Sequence, residues 1–473
     1  MGITSFEFGF FVLVVCVLYY LLPVLFWKKC ILLVANLTFI LSFQTQDLGY
    51  LVFVMVLSYL WGLLLEKKKH PVILATSLIS MLVGLCFFKY ANSFLNVPFI
   101  FQLLPDGRPC FVAPLGLSFY TFKMVGYLID VYAQKCPSEK SLLNYAVYVS
   151  FFPQISSGPI QKARDFLSHL QYVSKWNYHV VRNGFQLIFF GLFEKMVIAD
   201  RLNVLVEQCL SDLSIATPVM SLVGCIAYSF QIYADFDAYS NIANGLSGLF
   251  GFCPVDNFRA PYFSRNIKEF WGRWHISLSS WLKEYIYIPL GGNRKGTLRK
   301  YFNLLIVFLV SGMWHGATWN FILWGILNGT IQILHDVVSK FVFRGKKLLW
   351  PLMTAWIEVP LNFLIVTGLW VFFRCTTIEE IRTVFTLISQ CRLEMLTDEI
   401  SLIFTSETLV TLCMTLLLVF VDFLRVQGFT VTNFGKLFFP IRWAVYAGML
   451  ILMILFSLYG PGYDPSKFIY LEF

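Results

Sequence analysis

Charge is scarce in this sequence: of its 473 residues only 13% are Asp, Glu, Lys or Arg, while 58% are apolar. With a mean hydropathy of +0.69, such a chain is too apolar for an ordinary soluble globule. Metal-ligand patterns are missing as well. Eleven cysteines are present, but without a CxxC pair or a Cys/His cluster. Cys16, Cys86, Cys225 and Cys413 fall inside apolar runs and read as small buried apolar residues, so no disulfide framework and no metal site is expected. No GxSxG elbow, P-loop, HExxH helix or Rossmann fingerprint occurs, which removes the common soluble hydrolase, kinase and metalloprotease mechanisms. The net charge of +9 sits in short patches between apolar runs, a pattern that sets membrane topology and does not point to a nucleic-acid partner.

What the chain has in abundance is apolar sequence long enough to cross about 30 Å of hydrocarbon as helix, for example at 6–26, 72–90, 352–373, 406–425 and 443–459. The expectation is an all-α integral membrane protein, one domain over 1–473, with roughly 10–12 transmembrane helices plus re-entrant and interfacial helices around a central channel. The first run lacks a preceding basic residue and ends in Phe26, Trp27, Lys28 and Lys29, so it is expected to stay as a membrane helix. The basic connections are Lys28 with Lys29, Lys67 to Lys69, Lys135 with Lys140, Lys162 with Arg164, the stretch 259–300 and Arg344 to Lys347. Placed in the cytoplasm, they leave both termini extracytoplasmic.

Two apolar stretches look broken. Residues 142–160 contain Pro153 and then Gly158 and Pro159, which stop a helix partway and suggest a re-entrant segment against an internal cavity. Residues 301–340 begin and end at basic connections, so the chain is expected to cross twice and turn near Ser311 to Gly316.

Ionisable groups inside apolar sequence are expensive to insert and are functional candidates by default. His315, flanked by Gly312, Gly316, Trp314 and Trp319, is the first, since a neutral imidazole can act as a general base. His275 is the second. It lies in the stretch Phe270 to Tyr287, whose alternating aromatic and charged residues read as an interfacial amphipathic helix. Nine Lys or Arg against two Glu lie between Arg259 and Lys300, a surplus suited to phosphates or to anionic lipid. Asp235 and Asp237 need partners, either a histidine or Arg259 or Arg273. The adjacent Glu194 and Lys195 are expected to snorkel near the interface. His70, His169, His179 and His335 read as ordinary solvated or interfacial imidazoles.

At these residues the chain resembles the membrane-bound O-acyltransferase (MBOAT) family, in the bacterial branch that acetylates polysaccharides or peptidoglycan. The resemblance rests on Phe151 to Gln154 and Ser157 to Ile160, Asp235 to Ser240, Asn257 to Tyr262, Phe270 to Ser279, Tyr287 to Arg294, and Gly312 to Trp319. It implies that His315 is the catalytic histidine and His275 a second histidine in a channel joining cytoplasmic donor to extracytoplasmic acceptor. The Pro-Leu-Gly-Gly-Asn-Arg stretch at 289–294 resembles the polysaccharide-acetylating branch more than the teichoic-acid D-alanylating one. The resemblance further implies an O-acyltransferase of the bacterial inner membrane with no bound cofactor and with acetyl-CoA or another acyl thioester as co-substrate. Arg273, Trp274, Asn293, Arg294 and Lys295 are the donor-binding candidates. The expected partners are the lipid bilayer, a polysaccharide acceptor, and an extracytoplasmic acyltransferase or small carrier. A lipid or teichoic acid acceptor, or a multi-pass transporter, are the alternatives.

Overall fold

The structure, a computed structural model, describes residues 1–43, 45–94, 113–172, 176–316, 318–341, 351–458 and 468. The basic connection at 344–347 and Ala317 lie outside them. Every regular element among the described residues is helical: α1 Phe6–Leu21, α2 Leu25–Leu41, α3 Thr45–Lys67, α4 Pro71–Phe94, α5 Leu117–Tyr132, α6 Leu142–Ser150, α7 Ala163–Leu170, α8 Tyr178–Phe193, α9 Asp200–Leu210, α10 Pro218–Leu249, α11 Ile267–Arg273, α12 Ile276–Leu282, α13 Thr297–His315, α14 Trp319–Phe341, α15 Pro351–Arg374, α16 Ile378–Gln390, α17 Leu393–Ile403, α18 Ser406–Val426 and α19 Phe439–Phe456. Seven of the described helices are long and apolar enough to cross a membrane, and α1 is a shorter apolar one. The chain is a multi-pass membrane protein. On many of these helices apolar side chains face outward, as with Trp356 at 81% and Phe420 at 55% exposure, which a lipid environment accepts and water does not.

The residues group into two compact units, one of 1–188, 242–255 and 470–472, the other of 189–241, 256–469 and 473. In the first, the expected break after residue 142 is present. Ser141 caps α6 by accepting the Asn144 amide, and the helix stops at Ser150. The next ten residues are buried and form no regular helix, only turns such as that closed by the Gly158 amide on the Gln154 carbonyl at 3.2 Å. Their polar groups are met by side chains: the Phe152 amide donates to Asn36 Oδ1 at 2.9 Å, Gln154 Nε2 to Gln161 Oε1 at 2.9 Å, and the Lys123 amine to Gln154 Oε1 at 3.3 Å. Non-helical backbone at depth survives only when protein satisfies it in this way.

The second unit contains the expected hairpin. α13 ends at His315, the chain turns, and α14 begins at Trp319. Glycine permits the two helices to touch backbone to backbone: a Cβ on Gly312 would lie 2.3 Å from the Phe321 carbonyl oxygen, and one on Gly325 2.4 Å from that of Phe308. Small residues at such crossings allow close approach where no hydrophobic force drives helices together.

Candidate active site

The site is built within the second unit around the end of α13. His315 is 4% exposed and is walled by aromatic rings: Trp314 at 4.7 Å between centroids, Phe373 at 5.0 Å, Trp324 at 5.3 Å and Phe321 at 6.3 Å. Trp314 also lies 6.3 Å from the ring of His275, so the structure brings the two sequence-predicted histidines to one aromatic cluster.

His275 is not on a continuous amphipathic helix, and that expectation is corrected. The chain breaks between α11 and α12, with His275 at the break in left-handed backbone, φ 43° and ψ 53°. A side chain with a Cβ adopts this conformation only where its surroundings hold it. Here the segment from Asn257 to Arg259 does so: the Ile276 amide donates to the Asn257 carbonyl at 2.9 Å and the Arg259 amide to the Arg273 carbonyl at 3.0 Å. The aromatics read as interfacial are mostly inside, Trp274 at 1% and Trp281 at 6% exposure, because the broken backbone turns them into the core and not along one helix face.

The hydrogen bonds also fix the protonation of His275. Asn257 donates its Nδ2 to Ser240 Oγ at 2.9 Å, leaving Oδ1 as pure acceptor towards Ser277 Oγ at 2.8 Å and His275 Nδ1 at 3.0 Å. The proton of the neutral ring is therefore on Nδ1, and Nε2 is the lone-pair nitrogen. Burial disfavours the imidazolium and pushes the pKa down to about 3.

A cavity of about 420 Å³ opens between α11, α12 and α13, with Lys268, Lys283, Lys300 and Asn293 among its polar lining and Trp271, Phe308 and Ser311 inside. Ser311 is one helical turn before His315. Trp271 packs on Trp324 at 5.6 Å, and Trp324 on His315, so the inner wall of the cavity is one side chain from the histidine. Lys300 is tied to Asp336 at 2.8 Å, whereas Lys268 and Lys283 make no ion pair among the described residues.

Of the donor-binding candidates, Asn293 lines this cavity. Arg273 is held by Glu269 at 2.5 Å, and Trp274 is packed between Phe258, Phe270 and Trp370. Arg294 and Lys295 are exposed on the loop beside the positive-φ Gly291 and Gly292. Lys268, Lys283, Ser311, Trp324 and Phe373 were not singled out from sequence. The two lysines were visible only as part of the basic stretch and Ser311 only as the start of the expected turn, while Trp324 reaches the site through the hairpin and Phe373 from α15.

The carboxylates are also corrected. Asp235 and Asp237 face neither a histidine nor Arg259 or Arg273. Asp235 pairs with Lys195 at 2.7 Å, which also holds Asp200 at 2.9 Å, and Asp237 pairs with Arg425 at 2.6 Å. Glu194 and Lys195, 0% and 3% exposed, do not snorkel. They lie on a π-helical turn, Glu194–Ala199, and Glu194 accepts from Asn241 at 2.9 Å.

A multi-pass helical chain with two buried histidines in one aromatic box, beside a cavity with a basic mouth, fits the class of membrane-embedded acyltransferases. Residues 134–379, more than half of the chain, match the model of the membrane-bound O-acyltransferase family. The chain belongs to the MBOAT family and is an O-acyltransferase. It is 34% identical over 371 residues to the probable alginate O-acetylase AlgI of Azotobacter vinelandii, covering 76% of this chain and 72% of that one. To the peptidoglycan O-acetyltransferase of Helicobacter pylori it is 33% identical over 392 residues, 75% of this chain and 72% of the other. To the teichoic acid D-alanyltransferase of Bacillus subtilis it is 27% identical over 272 residues, 55% of this chain and 68% of the other.

Proposed function

We propose that this enzyme moves an acetyl group from a cytoplasmic thioester, acetyl-CoA or a close analogue, to a hydroxyl of an extracytoplasmic polysaccharide, or to a partner or carrier that passes it on. The observation that carries this reading is the position of His315, buried at the end of α13 and one turn beyond Ser311 in the basic-mouthed cavity. Lys268 and Lys283 suit the phosphates of a coenzyme-type donor, and basic connections favour the cytoplasmic side. His315 takes the proton of the acceptor hydroxyl as its oxygen attacks the thioester carbonyl. The thiol leaves with that proton.

Acetyl transfer to a polysaccharide is favoured over a lipid or teichoic acid acceptor by the names of the alginate and peptidoglycan relatives, at higher identity than the teichoic acid one. The test is a proteoliposome assay with radiolabelled acetyl-CoA on one face and alginate or peptidoglycan fragments on the other. Label on the fragments, alone or after addition of the extracytoplasmic partner, supports the reading. Label in the lipid fraction replaces the acceptor, and no consumption of thioester in either orientation overturns the proposal.

A further inference from the structure

We propose that the indole N–H of Trp324 is the donor that holds the oxyanion formed when the acyl carbonyl is attacked beside His315, an inference that rests on the acyl-transfer reading above. Trp324 is on α14, is 1% exposed, and stands edge-on to the imidazole of His315, with centroids 5.3 Å apart and planes at 86°.

An indole nitrogen can only donate, and buried donors in folded proteins are almost always paired. Four indoles lie in or around the His315 box: Trp314 precedes the histidine on α13 and faces the His275 ring as well, and the other three come from elsewhere in the unit. Trp271 donates to Asn328 Oδ1 at 3.3 Å. Trp370 Nε1 is likewise buried without a hydrogen bond among the described residues, but its ring packs on Trp274 at 4.8 Å and on Trp324 at 6.1 Å, behind the ring that meets His315. Trp324 Nε1 is fully buried and has no hydrogen-bond partner among the described residues. The nearby Asn328 offers it no relief, because its Oδ1 takes the Trp271 proton and its Nδ2 donates to the Trp324 backbone carbonyl at 2.8 Å.

A buried donor with no acceptor among the described residues, next to the base, is free to bond the oxygen on which charge develops there. That is the condition for accelerating a reaction instead of merely tightening substrate binding. His275 cannot serve in its place: its one ring proton is on Nδ1 and is directed at Asn257. In the step proposed, the acceptor hydroxyl gives its proton to His315 and its oxygen bonds to the carbonyl carbon. The carbonyl π pair moves to oxygen, where the Trp324 N–H meets it. The pair then returns as the carbon–sulfur bond breaks, and the departing thiolate takes the proton from His315.

The experiment compares purified wild type with Trp324→Phe, which keeps an aromatic ring without the N–H, and with benzothienylalanine at position 324, which keeps the indole shape and replaces N–H by sulfur. The expected result is a fall in kcat of about 10²-fold or more in both, with KM unchanged. Affinity for a phosphonate that mimics the tetrahedral intermediate falls by the same factor, a change that a purely structural role would not produce. Wild-type kcat in the benzothienylalanine protein overturns the inference. If His315→Ala abolishes turnover in the same series, only the oxyanion assignment fails; if His315→Ala is also without effect, the acyl-transfer reading fails with it.

Discussion

Two buried polar regions of the second unit solve opposite problems. Around Lys195 and Arg425, five carboxylates, those of Glu194, Asp200, Asp235, Asp237 and Asp422, meet two cations, and Lys195 and Arg425 are each shared between two acids. Around His315 the box is apolar, the ionisable groups are imidazoles, and a buried indole N–H waits for an acceptor. In the first region the two cations are met by acids of the chain itself and so anchor distant segments, tying the π-turn at 194–199 to α10 and α10 to α18; Glu194 keeps one buried oxygen without a hydrogen bond. The second leaves bonding capacity for something that is not part of the chain.

That contrast can be broken from the network side with the largest effect. Lys195→Met leaves Asp200 and Asp235 buried without their cation, a loss of about 3–5 kcal/mol. Thermal unfolding in detergent is expected to shift far down, with activity lost through unfolding. Adding Asp235→Asn recovers part of that stability. Full stability of the single variant would mean the network is not structural.

A smaller effect belongs to His275. The folded ring resists protonation down to about 3, against 6.5 for an ordinary histidine, so the unfolded chain binds the extra proton throughout that window. Folding stability therefore falls as pH drops below about 6.5, by at most about 1.4 kcal/mol per pH unit from this residue. His275→Gln removes that share: its unfolding temperature declines less between neutral pH and about pH 5 than that of wild type. Equal declines would show that His275 is already protonated in the fold.

The smallest differences separate two kinds of lysine and arginine. Lys268→Ala with Lys283→Ala, at the cavity, raises KM for the coenzyme thioester and leaves kcat nearly unchanged. Arg294→Ala with Lys295→Ala, on the exposed loop, changes either constant by less than the cavity pair. The reverse order would move the donor site onto the loop.

Much of the helical layout was legible because hydropathy, proline and glycine act locally. Pro153, Gly158 and Pro159 announced the break in 142–160, and Gly312 and Gly316 the turn at His315. The class of the site was legible because both histidines sit in distinctive local sequence. What could not be read were pairings over long separations: Asp237 finds Arg425, 188 residues away, and Lys195 finds Asp235, 40 residues away. Charge and spacing gave no way to choose these over Arg259 or Arg273. The stretch 270–287 misled for another reason. Its amphipathic pattern presumes one continuous helix, and the backbone reverses at His275 because Asn257, outside the stretch, holds it there.

The central claim is that the His315 box performs the transfer while the charged network only supports it. The direct measurement is acetyl-CoA turnover by purified wild type and His315→Ala, each first shown to have the same unfolding temperature. Turnover in the variant is expected to fall by about 10²–10⁴-fold. Undiminished turnover in a folded His315→Ala protein would contradict it.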